Sequence, residues 1–324
     1  MTVRHADTRV VAILSIVCLA ALWSQRVQAQ VKLEYKFPEG KKLTYKTTSR
    51  VRQVLTFMNN QEKESVLRET KVWTRSVGKR RGDLTVPIEE KVQALRDEFT
   101  FPGGIKLILD SSDPKIKIDD PELTFLGDVF KLESALAYTA VLDKETKLKA
   151  IEGIEELKER AEKLDNPIAR EEFESEIRPD RLKTKFEQAI HIFPDVLART
   201  GEPWERTEIL EINGRTFTVR KKYEYRGTEK KGDKTLEKIG FKVIDIKYDQ
   251  DPKGKLPVNV VKSDLKVESS EGTILFDREE GHVVSASDRI RIKGNMTYSG
   301  GGVDQAGAFD LNFDANTQLQ PAAK

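Results

Sequence analysis

Two histidines lie beyond the first thirty residues, His191 and His282. His191 sits between Ile190 and Ile192 in a stretch of helical period, which is the setting of a boundary residue and not of a ligand. His282 follows Gly281 at a hairpin turn, a position that predicts solvation. The one cysteine is Cys18. Two histidines without a thiolate do not assemble the usual zinc sets, although a His/carboxylate site is formally open. A Ser–His–acid triad would need one of these two, and no Gly-x-Ser-x-Gly elbow occurs.

Carboxylates are the remaining chemistry. Glu89-Glu90 is a pair of the kind glycoside hydrolysis uses, but neighbours on a strand point to opposite faces. Asp310-x-Asn312-x-Asp314 has the first spacings of a calcium loop, yet Ala315 and Pro321 stand where Gly and Glu are needed. Alternation with Phe309, Leu311 and Phe313 explains those acids as the outer face of a strand. Asp249-x-Asp251 is followed by Lys253, which opposes a cation. The run YSGGGVDQAG, residues 298–307, lacks a phosphate-binding lysine and reads as a linker loop. Arg81-Gly82-Asp83 spells an adhesion tripeptide inside a basic turn, where chance accounts for it. Trp73 and Trp204 have apolar neighbours and read as core. No catalytic, cofactor-binding or metal-ligating residue is assigned.

The elements around these residues are mostly strands. Leu33, Tyr35 and Phe37 alternate with Lys32, Glu34 and Lys36, the period of a half-buried strand. Alternation runs on from Leu43 to Phe57, breaks at Asn59-Asn60, and resumes from Val66 to Val77 and from Leu84. Short turns between such runs predict an antiparallel meander. Residues 123–133 switch to helical period. Three further short helices follow, with stripes Ile154/Leu157/Ala161/Leu164, Phe173/Ile177 and Leu182/Phe186/Ile190/Phe193. Each is too short to stand alone and must lie on a sheet or bridge two. From Trp204 the chain returns to strands, with Phe217, Val219, Tyr223 and Tyr225 on one parity.

The first residues read as a secretory leader. Arg4, His5 and Arg9 precede an apolar run of thirteen residues, Val10 to Leu22, and Val27-Gln28-Ala29 offers a cleavage site between Ala29 and Gln30. Thirteen helical residues cover about 20 Å, short of the ~30 Å needed to span a bilayer. Val17 before Cys18 is too bulky for lipoprotein processing. The net charge of +2 belongs to this leader (Arg4, Arg9 and Arg26 against Asp7), so the remainder is formally neutral and has no global attraction for nucleic acid or anionic lipid. Without Cys18 the mature chain forms no disulfide, and its core alone must hold it.

One phrase occurs twice: AVLDKETKLKAI at 140–151 and ILFDREEGHVVSA at 274–286. Gly40-Lys41-Lys42-Leu43 and Gly201-Glu202-Pro203-Trp204 also match as a Gly followed three later by a large apolar residue. Together they suggest an internal pseudo-repeat. The stretches LEYKFPEGKKLTYK, VLDKETKLKAIEG, FPDVLARTGEPW and LFDREEGHVVSAS resemble an uncharacterised family of exported bacterial proteins, a domain of unknown function. The first hairpin departs from that pattern, with Thr146 or Lys147 where a Gly is expected. The resemblance implies export and two β-rich halves, and carries no activity. Strand-rich halves flanked by helices are also similar, at the level of fold only, to the open barrels of periplasmic lipoprotein carriers.

The expected fold is therefore α+β, predominantly antiparallel β, with two β-rich pseudo-repeat halves joined by a short helical connector. The expected divisions are a signal peptide at 1–29, a first half at 30–153, a connector at 154–198 and a second half at 199–324. The expected function is a non-enzymatic binding or scaffold protein of the bacterial envelope, periplasmic or extracellular. The first alternative is a periplasmic carrier of an apolar ligand or lipid; the second is a carboxylate-only hydrolase. No cofactor, no nucleic acid and no membrane span after leader cleavage is expected. The partner is an apolar ligand or an envelope protein of unstated identity.

Overall fold

A computed structural model describes residues 30–57, 61–113, 118, 120–212, 215–249, 259–300 and 303–321. The leader with Cys18 and Ala29, the Asn59-Asn60 break, and Asp251 with Lys253 lie outside the described residues.

Most of the chain is antiparallel sheet. The strands are β1 (Gln30–Val31), β2 (Lys42–Phe57), β3 (Glu62–Val77), β4 (Val86–Thr100), β5 (Lys106–Asp110), β6 (Ala137–Leu142) and β7 (Leu148–Glu152), then β8 (Ala198–Arg199), β9 (Pro203–Ile212), β10 (Arg215–Lys231), β11 (Lys234–Asp249), β12 (Asn259–Asp277), β13 (His282–Gly300) and β14 (Val303–Leu319). Among the described residues four α-helices interrupt them: α1 (Thr124–Ser134), α2 (Glu155–Glu162), α3 (Pro167–Glu176) and α4 (Pro179–Ile190). One sheet holds both runs of long strands, in the order β7-β6-β4-β3-β2-β14-β13-β12-β11-β10-β9, with β5 also paired to β4. The joint is β2 against β14, registered from Tyr45 opposite Leu319 to Phe57 opposite Gly307.

The sheet is rolled. Phe217 on β10 and Phe309 on β14 have ring centroids 6.5 Å apart. Three strands lie between them, and four flat inter-strand steps would hold them about 19 Å apart. Both rings are fully buried with Val219, Ile290, Ile292 and Leu311, so this end of the roll is filled by side chains. At the other end Tyr223, Ile239 and Phe276 pack with Val31, Leu33 and Phe193.

The roll leaves β7 and β9 as its two edges, and α4 lies against both. Pro179 starts α4 at its first turn, and Leu182, Phe186 and Ile190 bury one stripe beside Ile88, Leu142 and Leu148. Gln188 then imitates a neighbouring strand: its Nε2 donates to the Ile209 carbonyl at 3.2 Å and its Oε1 accepts from the Ile209 N–H. An edge strand that would otherwise offer bare backbone is thereby occupied. At α3, Pro167 opens the helix and the Asn166 side chain accepts from the N–H groups of Ile168 and Ala169.

The repeated phrase has a local cause. In the first hairpin the Asp143 carboxylate accepts from the backbone N–H of Glu145 and Lys147; in the second the Asp277 carboxylate accepts from that of Glu280. Each turn also needs a left-handed residue, Thr146 at φ 63° in one and Gly281 at φ 68° in the other. The hairpins differ in place: β6–β7 is at an edge of the sheet, β12–β13 is interior.

Three expectations change. Residues 32–37 alternate in burial as read, yet form no ladder; the segment packs across the β12–β13 hairpin, with Lys36 N–H donating to the Gly281 carbonyl at 2.9 Å. That cover is why His282, expected in solvent, is only 5% exposed. The glycine stretch is not a linker: β13 runs to Gly300 and β14 begins at Val303, with 301–302 outside the described residues.

Candidate functional site

The residues singled out in the sequence disperse. His191 caps the end of α4 and is exposed, whereas His282 is buried at the β12–β13 hairpin. Glu89 and Glu90 do face opposite ways, and Glu90 turns inward. Asp310 and Asp314 pair with Arg291 at 2.9 Å and Arg289 at 2.8 Å, so arginines occupy the proposed cation loop. Arg81 is taken by Glu152 at 2.7 Å, and Asp83 accepts from the Thr85 hydroxyl at 2.6 Å, which makes the tripeptide part of a turn. Among the described residues no group of three His, Cys, Asp or Glu side chains is placed to hold a metal.

The structure instead assembles charge inside the roll. A cleft of about 450 Å³ lies between the inward faces of β3 and β4 and helices α1, α3 and α4. Trp73, Val92, Leu95, Leu136 and Phe173 supply its apolar walls. Trp73 stacks on Tyr45 at 4.7 Å and donates its indole N–H to Thr47 at 3.3 Å. Between these walls stand two satisfied ion pairs. Arg75, 6% exposed, donates to Glu90 at 2.8 Å, and Glu90 also accepts from the Tyr138 hydroxyl at 2.5 Å. Burial alone would depress the Arg75 guanidinium, but Glu90 and Tyr35 outweigh it and hold its pKa above the ordinary value. On the helical side Glu176 takes Lys185 at 2.7 Å and Arg181 at 3.0 Å; against its burial, these cations keep the carboxylate below its usual range.

A third group is unbalanced. Glu69 on β3 stands opposite Asp97 on β4, and Glu133 of α1 faces both. Asp97 is 5% exposed and its Oδ1 has no hydrogen-bond partner. Burial first, then Glu69 and Glu133, push its pKa up to about 8, with Lys71 opposing. Burial and then Glu176 push Glu133 up to about 7.

A second charged knot ties the far wall. Lys221 on β10 reaches Glu208 of β9 at 3.0 Å and Asp288 of β13 at 3.4 Å. Its burial is outweighed by these two acids, which raise its pKa, while burial raises Asp288 despite Lys221. The Lys221 ammonium thus bridges the two carboxylates. A larger hollow of about 670 Å³ follows the seam along α4, β9 and residues 32–37. Its rim residues Lys32, Glu34 and Asp195 are in solvent, and the cleft under α1 likewise opens at exposed Lys91, Lys185 and Ala189 while Val92, Leu95 and Phe173 form its buried floor.

The inward charges could have been found by parity. On β3 the apolar face reads Leu67, Glu69, Lys71, Trp73, Arg75, Val77; on β10 Lys221 interrupts Val219 and Tyr223; on α1 Glu133 follows Leu126 and Phe130 at helical spacing. A charge on the apolar parity of an element is the signal.

No family model matches the chain, and no curated protein matches it. Three solved structures are similar to it at low scores. Lipovitellin, from a study of lipid–protein interactions, matches with a TM-score of 0.38 at 9% identity over 89% of this chain. The chain spans 26% of the length of that lipovitellin chain. An outer membrane channel from Pseudomonas putida F1 matches with a TM-score of 0.22 at 7% identity, over 88% of this chain and 97% of the channel. The translocator domain of autotransporter NalP from Neisseria meningitidis matches with a TM-score of 0.18 at 7% identity, over 96% of each chain. Likeness at this level carries no inference about fold or function. No helix among the described residues is long and apolar enough to cross a membrane, which leaves strands unaddressed.

Proposed function

We propose that this chain is an exported, non-enzymatic binding protein of the bacterial envelope that holds an amphipathic ligand in the cleft under α1. The observation that carries the reading is the cleft itself: about 450 Å³ between sheet and helices, with aromatic and aliphatic walls on one part and charged side chains on the rest. Such a lining suits a ligand with an apolar body and a polar end. Export rests on the leader pattern at 1–29 and on the resemblance to the exported family of unknown function.

The same reading takes the two β-rich halves as copies of one unit. Its support is Gly40 and Gly201, both at positive φ and each two residues before a strand of the large sheet. A backbone superposition of β2–β4 on β9–β11 that leaves these glycines unmatched would dismiss the duplication.

The test of function is native mass spectrometry of the mature protein, purified from the envelope without detergent. A mass excess that extracts into organic solvent is the expected result. A bare polypeptide mass, together with no uptake of added amphiphiles, would overturn the reading.

A further inference from the structure

Lys221, Glu208 and Asp288 meet inside the roll from three different strands, β10, β9 and β13. The Lys221 Nζ lies 3.0 Å from Glu208 Oε2 and 3.4 Å from Asp288 Oδ2. Solvent is largely kept away: the three side chains are 11%, 14% and 15% exposed, and Nζ stands 5.0 Å from the centre of the buried Phe241 ring. The β10–β11 ladder shifts register at Arg220/Lys221, a bulge of the kind that re-aims a side chain. Buried Tyr223 donates its hydroxyl to Glu208 and fixes that carboxylate. Asp288 is less well held: its Oδ1 is buried without a hydrogen-bond partner. An ion pair in such a place is costly, because each ion gives up its hydration. An amine held in contact with a carboxyl group also reacts as if the two were present at very high concentration.

We propose that Lys221 and Asp288 condense to an intramolecular amide, a covalent brace across the roll, with Glu208 carrying the proton. Glu208 takes a proton from the Lys221 ammonium, the freed amine attacks Asp288 Cγ, and Glu208 hands the proton to the departing Asp288 oxygen. The Nζ–Cγ bond forms and one Cγ–O bond breaks. Two of the three ammonium protons leave with that oxygen as water, the third stays on the amide nitrogen, and Glu208 ends as the carboxylate it began as. The balance calls for no other reactant. The two acids hold Lys221 charged and so oppose the first transfer. Burial favours the product, because the amide is neutral and the ion pair is not. Two strands lie between β10 and β13, so the bond ties parts of the sheet that share no ladder, 67 residues apart in the chain. A chain whose one cysteine, Cys18, lies in the leader pattern thereby gains the kind of cross-link that disulfides give other exported proteins.

The experiment is intact mass spectrometry of the purified chain, its N-terminus read from the same sample, followed by protease digestion and fragment sequencing. Wild type is expected to be lighter by one water than its sequence requires, with one branched peptide joining the segments of Lys221 and Asp288. Lys221→Arg, Asp288→Ala and Glu208→Gln are each expected to carry the full mass of their own sequences. The wild-type mass decides by itself, so a variant that does not fold leaves the test intact. A wild type of full sequence mass overturns the proposal, and so does a water deficit that maps to other residues or persists in Asp288→Ala. A Glu208→Gln chain that condenses as completely as wild type overturns the part given to Glu208.

Discussion

Glu69 and Asp97 stand directly opposite each other across the β3–β4 pair, on the face turned into the molecule. Like charges in that relation repel, which favours the protonated form of Asp97. Burial, with Glu69 next, lifts Asp97 from 3.8 to about 8.

The pH consequence follows from the sign of that shift. Between about pH 4 and pH 8 the folded chain holds a proton on Asp97 that the unfolded chain has lost, so this group's contribution to stability falls as pH rises across the window. Asp97→Asn keeps the shape and removes the titration. The variant is expected to melt a few degrees above the wild type at pH 8, roughly 1–3 kcal/mol, and near it at pH 4. Thermal unfolding at pH 4, 6 and 8 checks this; a uniform loss at every pH would count against it.

Arg75 and Glu90 test the other kind of buried charge. Arg75→Ala leaves Glu90 in the interior without its cation and is expected to cost about 3–5 kcal/mol. The double replacement Arg75→Met with Glu90→Leu is expected to recover most of that loss. Urea unfolding of the wild type and these two variants gives the comparison, and a double variant as weak as the single one would show that the pair is not what holds this region.

The roll itself can be probed through Phe217 and Phe309. Each Phe→Ala change removes a fully buried ring and is expected to cost about 3–5 kcal/mol. Because the rings meet across the interior, the double variant is expected to depart from additivity by 0.5 kcal/mol or more in a cycle on the order of that in other contacting pairs. Strict additivity would argue that β10 and β14 do not face each other in solution.

At the seam, Gln188→Ala strips the side-chain amide that pairs with Ile209. Backbone amide exchange at Ile209 is expected to speed up about tenfold, with little change on central strand β14. Size-exclusion chromatography is expected to show new self-association, because β9 then exposes a bare strand edge. Unaltered exchange at Ile209 would mean that α4 does not guard the seam.

Much of the local structure was legible in the order of residues. Leu43 to Phe57 alternates and is strand; Pro167 and Pro179 start helices; Asp143 and Asp277 mark turns. These are short-range effects, set by side-chain period, ring geometry and a carboxylate reaching its own backbone. His282 went the other way, since a segment more than two hundred residues earlier in the chain covers it.

By itself, then, the sequence determined most of the strands, the helices, the turns and a near balance of charge. Tertiary structure alone decided that both runs of strands share one sheet, that the sheet rolls until Phe217 meets Phe309, and that α4 fills its seam. It also decided the cleft. Glu69, Asp97 and Glu133 are remote in the chain, and nothing local says that register and helix docking will bring three carboxyls to one corner. The physical reason is that period reports which face a side chain takes, while curvature and docking decide what that face meets.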